Sequence, residues 1–241
     1  MHASAWGDGA EWVIATVPDL LGARDDVTGF APDHPLLRRV HRTHPGLRIP
    51  RTGLVFDTLV PTVLEQKVTG IEARRSWREL LWRYAEPAPG PAPRGMRVPP
   101  EPRTWARIPS WGWHRAGVDG KRSATIVRAA GAAGRLEETT AMSSGEAARR
   151  LRAVPGVGLW TAAEIAQRAL GDADAVSVGD LHIPGLVGWA LASRPLDDDG
   201  MLELLAPYAP HRHRVVRLVE LSGVARPKFA PRYAARNIRD L

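Results

Sequence analysis

Cysteine is absent from all 241 residues, so the chain can form no disulfide, no thiolate zinc site and no cysteine-ligated iron–sulfur cluster. Enzyme classes that depend on those centres are excluded before any motif is read. Lysine is nearly as scarce: Lys67, Lys121 and Lys228 are the only ones, and arginine supplies the rest of the 33 basic residues. No apolar stretch is long enough to span a bilayer, and residues 1–11 lack a basic segment followed by an apolar run. A cytoplasmic protein without a membrane partner is expected. Alternating runs of the kind that make strands are also missing, with one exception. Residues 11–17, containing Trp-Val-Ile-Ala-Thr-Val, read as one short strand at the N-terminus.

What remains is a helical protein with a basic surface. Segments 56–67, 72–84, 121–136, 145–154, 160–170, 181–192 and 211–222 are rich in Ala, Leu, Arg and Glu, with apolar residues at helical spacing. An all-α fold of two lobes is expected. Residues 86–102 hold too many prolines and glycines to continue a helix, and they read as the loop between an earlier and a later lobe. The acidic run 197–199 reads as the start of a helix. A hydrophobic content of 44% suffices for a packed core, and the net charge of +7 favours a polyanionic partner.

The most informative segment is 151–170, LRAVPGVGLWTAAEIAQRAL, in which two helical patterns meet at Val154-Pro155-Gly156-Val157-Gly158. Pro155 stops the first helix, while Gly156 and Gly158 permit a reversal that leaves main-chain N–H groups bare. The second helix then points its positive end outward, with the hydroxyl of Thr161 in its first turn. Such an end binds phosphate and gives DNA affinity with little base preference. An ordinary αα-hairpin with a glycine cap fits Pro-Gly-x-Gly equally well.

Residues 154–180, VPGVGLWTAAEIAQRALGDADAVSVGD, extend the pattern. They resemble the hairpin, second helix and aspartate loop of the helix-hairpin-helix DNA glycosylases, in particular the 3-methyladenine DNA glycosylase II branch. Upstream, Val63-Leu64-Glu65-Gln66-Lys67-Val68-Thr69 resembles that family's glutamine-containing turn, and 117–129 resembles its glycine, basic residues and helix. The likeness covers roughly 35–221, inside an expected glycosylase domain of 35–241. Residues 1–34 are then an extension, with 12–21 as a remnant of the β-rich domain that precedes this unit in the alkylpurine branch.

The resemblance implies site residues. Asp180 becomes the carboxylate that stabilises oxocarbenium character at the sugar and orients water, although its place before a helix also fits an N-cap. Trp160 occupies the position where bifunctional members carry a Schiff-base lysine, so base release without strand cleavage is implied. Its indole would stack on a cationic base, in a pocket shared with Leu181. Trp111 and Trp113 are candidate walls, for which a core position is the leading alternative; Trp77, Trp82 and Trp189 read as core, and Glu164 as a helix-surface residue. Double-stranded DNA would be held by Gln66, Lys67, Pro155, Gly156, Val157, Gly158, Thr161 and Arg212, with Lys67 at the wedge position. The carbonyls of Val154, Gly156 and Val157 are the implied seat of a structural Na+ or K+. His211 and His213 have a spacing a metal could use but read as exposed or phosphate-facing. No cofactor is required, and a monomer that keeps to the nucleoid is expected. A glycosylase for an oxidised or deaminated base and a non-catalytic DNA-binding hairpin are the competing readings.

Overall fold

The structure is a computed structural model that describes residues 2–225. Its helices follow the periodicity of the sequence, and most begin at recognisable caps. Thr69 and Glu72 form a capping box at α4 (Gly70–Tyr84), and Ser143 and Glu146 form another at α9 (Ser144–Arg152). Asp119 receives the N–H groups of Lys121 and Arg122 at α7 (Gly120–Gly131), and Asp197 caps α12 (Asp198–Leu205) through Gly200.

The helix α3 (Val55–Leu64) is apolar on nearly every side and runs through the middle of the larger core. Its threonines 58 and 62 donate back to the carbonyls of Leu54 and Thr58, so their hydroxyls cost nothing in that setting. The first N–H groups of α3 are taken by the Glu137 carboxylate at 3.0 and 2.8 Å, from the end of α8 (Ala133–Glu137). Around α3 pack α4, α7, α8, α9, α5 (Pro102–Arg107), α6 (Ser110–Arg115) and α10 (Leu159–Ile165), the last continuing as a π-helical turn through Leu170.

A second core joins α2 (Pro35–Thr43) to α11 (Ile183–Ala192), α12 and α13 (Arg212–Leu221). The two lobes therefore do not divide at 86–102, as the proline-rich composition suggested. That stretch is a surface excursion of the larger core, pinned by a two-residue ladder of β1 (Glu86–Pro87) and β2 (Arg97–Val98). The early helix α2 instead crosses to the C-terminal lobe.

The strand expected at 11–17 is a helix. Residues Ala10–Leu20 form α1, because a lone strand has no partner for its backbone groups whereas a helix satisfies them internally. The N-terminal extension is tied into the smaller lobe by a buried ion pair: Asp25 accepts from Arg214 at 2.8 Å and from the Ile49 N–H at 2.9 Å, with both charged side chains at most 2% exposed. Among the described residues no helix is long and apolar enough to cross a membrane. The end of the expected 35–241 domain, residues 226–241, lies outside the described residues.

Candidate active site

The hairpin between α9 and α10 is built on one irreplaceable glycine. Gly156 sits at φ 102°, and a Cβ there would meet the Thr125 hydroxyl of α7 at 2.0 Å. Val157 turns its side chain into the core and donates its N–H to Val154 at 3.0 Å, leaving Pro155, Gly156, Gly158 and Leu159 at the surface.

Two residues expected to contact DNA are engaged within the protein. The Gln66 amide donates to the Gly156 carbonyl at 3.0 Å and to the Thr161 hydroxyl at 2.9 Å, and Thr161 is 2% exposed. They bolt the turn after α3 to the hairpin, so Thr161 is a structural link and no phosphate donor. Next to Gln66, Lys67 adopts φ 54°, a left-handed conformation that turns its exposed side chain out of the helix end. Of the hairpin carbonyls, those of Val154 and Gly156 each accept one protein hydrogen bond, which leaves each a second lone pair. Among the described residues no group of three or more His, Asp or Glu could hold a metal ion.

At the other end of the same helix turn, Trp160 meets Asp180. The indole N–H donates to one Asp180 carboxylate oxygen at 2.9 Å. The second oxygen accepts the N–H groups of His182 and Ile183 at 2.7 and 3.0 Å, the entry to α11. Asp180 therefore closes a turn onto His182, the N-cap residue of α11, and is at once a half-buried carboxylate against an indole at the mouth of the hairpin. Leu181 beside it is 75% exposed.

The row continues along α10. Glu164, read from the sequence as a surface residue, is 8% exposed. One of its oxygens accepts the Ser177 hydroxyl, and the other pairs with Arg168 at 2.7 Å. Ser177 also accepts from Gln167 at 2.9 Å, which ties the aspartate loop to the helix. From the turn after α3 comes Glu65. Burial pushes its carboxyl above the usual range; nearby Arg168 pulls it down while Glu164 pushes it further up. From α13, half-buried His213 has its pKa forced from 6.5 to about 3, first by burial and then by Arg217, Arg168 and Arg214. His213 is thus neutral in the physiological range, and His211 is buried against the Phe30 ring. Neither is the exposed histidine expected.

Other expected site residues lie elsewhere. Trp113 is a core residue, 3% exposed, stacked on Trp105 and donating to the Ile108 carbonyl. Trp111 projects from α6 into solvent. Trp77 packs at the core edge, while Trp82 is 65% exposed beneath the Arg97 guanidinium. Arg212 commits its guanidinium to Asp174 at 2.9 and 2.6 Å. A cavity of about 1020 Å3, lined in part by Leu159, Ala162 and Ala163 of α10 and by Ala166 of the π-turn, includes neither Trp160 nor Asp180. Size and chemistry point to opposite faces of one helix, and the chemistry identifies the candidate site.

The sequence matches no protein-family model and no curated protein. The structure, however, has the all-α fold of the helix-hairpin-helix DNA glycosylases. It is similar to the 3-methyladenine DNA glycosylase of Archaeoglobus fulgidus (17% identity over 90% of this chain and 76% of that one, TM-score 0.71). The 8-oxoguanine glycosylase/lyase of Clostridium acetobutylicum is similar at 13% identity over 88% of this chain and 76% of that one, TM-score 0.72. The 3-methyladenine DNA glycosylase of Schizosaccharomyces pombe, solved with abasic DNA, is similar at 16% identity over 92% of this chain and 95% of that one, TM-score 0.60.

Proposed function

We propose that this protein is a monofunctional DNA glycosylase that flips alkylated purines out of double-stranded DNA and hydrolyses their N-glycosidic bond. The observation that carries the reading is the contact of the Trp160 indole with the Asp180 carboxylate at the mouth of the hairpin. Cleavage of that bond develops positive charge on the sugar, which an adjacent carboxylate stabilises while it orients water. A ring-alkylated purine already bears positive charge, so it leaves without a general acid and can be stacked on an indole. With tryptophan at the hairpin position where a Schiff-base lysine would stand, the product is an intact abasic site.

The exposed hairpin and the net charge of +7 supply phosphate affinity. Lys67, exposed and left-handed, would enter the stack vacated by the flipped base. The carbonyls of Val154, Val157 and Gly156 would seat a Na+ or K+ that adds to phosphate attraction. The protein works as a monomer in the cytoplasm, on the nucleoid, and requires no other cofactor.

Duplexes carrying 3-methyladenine, 7-methylguanine, hypoxanthine or 8-oxoguanine, incubated with the protein and with Asp180→Asn, test this when base release and nicking are scored separately. Release of an alkylated base without nicking, lost in the variant, is the expected result. Equal DNA binding by both proteins with no release from either would make the chain a binding module and Asp180 only a turn residue.

A further inference from the structure

The row Trp160, Glu164, Arg168 occupies one side of α10 at intervals of a helical turn, and two of its members touch the aspartate loop. Trp160 meets Asp180, which in the proposed reaction addresses the sugar. Glu164 lies about 6 Å further along the helix axis, a displacement comparable to that between the sugar attachment of a purine and its opposite, Watson–Crick edge. A base stacked on Trp160 would bring that edge to Glu164.

An ionised carboxylate only accepts hydrogen bonds. Ser177 and Arg168 use one lone-pair site on each Glu164 oxygen, which leaves a free site on each. Arg168, half exposed, has room to turn its guanidinium toward a carbonyl oxygen. The pair therefore presents two acceptors beside a cationic donor. Guanine offers the complement: N1–H and the N2 amino group as donors, and O6 as an acceptor. Adenine offers an amino donor beside the bare N1 lone pair, which a carboxylate repels. Hypoxanthine keeps N1–H and O6 but lacks the amino group.

We infer that Glu164, with Arg168, reads the guanine edge, so that the preferred substrate is a 7-alkylguanine rather than a 3-alkyladenine. This rests on the glycosylase reading and narrows it.

Release of 7-methylguanine, 8-oxoguanine, 3-methyladenine and hypoxanthine, each divided by its spontaneous loss, is measured for the native protein, Glu164→Gln and Ser177→Ala. Glutamine keeps the length of Glu164 and still accepts the Ser177 hydroxyl, but it places an amide donor where an acceptor stood. The native protein should favour 7-methylguanine over 3-methyladenine by about tenfold or more, and Glu164→Gln should reduce that preference by about tenfold. Ser177→Ala, which loosens the loop and leaves the carboxylate, should slow all lesions in proportion. The inference is overturned if the native protein treats the two alkylpurines alike, or if Glu164→Gln slows all lesions equally, which would make Glu164 a strut for the loop. Preferential release of 8-oxoguanine with the same Glu164→Gln sensitivity would uphold the edge reading and overturn the alkylpurine substrate. No release of any base would overturn the glycosylase reading itself.

Discussion

On one side of α10, Trp160, Glu164 and Arg168 form a polar row that meets Asp180 and Ser177. On the other, Leu159, Ala162, Ala163 and Ala166 floor a cavity of about 1020 Å3. Of the charged groups lining that cavity, Arg212 is held by Asp174, and Asp25 by Arg214 behind it. No Trp, Tyr or Phe lines that cavity. The polar face joins an indole to a carboxylate, and the fold delivers both parts to it from elements twenty residues apart. The comparison separates volume from chemistry: a hole between helices needs only small side chains, whereas a reaction site needs groups held in register.

The largest expected effect belongs to Asp180. The asparagine oxygen can still accept the His182 and Ile183 N–H groups, and only the Trp160 hydrogen bond is lost, so Asp180→Asn should cost about 1 kcal/mol of stability and leave α11 in place. Base release, in contrast, should fall by about a hundredfold or more when the negative charge is removed from the developing oxocarbenium. Single-turnover base release alongside thermal melting checks both halves. A larger loss of stability with proportionate loss of activity would assign Asp180 to closing the turn alone.

Next comes the hairpin that carries the polar face. Gly156→Ala forces a side chain onto φ 102° and against Thr125, at a cost of about 1–3 kcal/mol, and should weaken DNA binding by misaligning the turn. Gly158→Ala is the control. Gly158 has an ordinary negative φ and open space where a Cβ would go, so only the poorer N-cap counts, a change of about 0.5–1 kcal/mol without a clash. Denaturant melts and DNA titration at fixed salt distinguish the two.

His213 sharpens the comparison through pH. Its folded pKa is depressed from 6.5 to about 3, so the unfolded chain binds the extra proton between those values. Stability is therefore complete above pH 6.5 and declines as the pH falls toward 3, by at most about 1.4 kcal/mol per unit from this group. In His213→Asn the acid side of the stability profile should flatten between pH 6.5 and 4. An unchanged profile would place the ring in water.

Much of this was legible in the sequence, and the exceptions share a cause. Pro155, Gly156 and Gly158 marked the hairpin because proline and glycine act locally, and Asp180 stood at the entry to the next helix. Glu164 was misread because its burial depends on Ser177, which reaches it only after the chain has left the helix and returned. The spacing of 160, 164 and 168 was there to be seen, and a carboxylate one turn from Trp160 was the available signal. Residues 11–17 have strand composition but no strand to pair with, a fact of tertiary structure. The lobe boundary was misplaced for the same reason: α2 belongs with helices whose sequences begin nearly 150 residues later, and proline content says nothing about such a crossing.

The smallest expected effect is the one that bears most directly on the two faces. Ala163 lines the large cavity, whereas Trp160 and Glu164 do not. Leucine at that position is a good helix former and takes up part of the empty space, so stability should move by no more than about 0.5 kcal/mol. If the flipped base enters the polar side, excision should stay within about twofold of the native rate, because a change of that size in the helix is too small to displace Trp160. Were the cavity the true base pocket, the added side chain would stand where the purine must lie, and release would collapse while melting stayed normal. A rate that holds in Ala163→Leu and falls in Asp180→Asn would fix the reaction on the narrow polar face rather than in the wider space behind it.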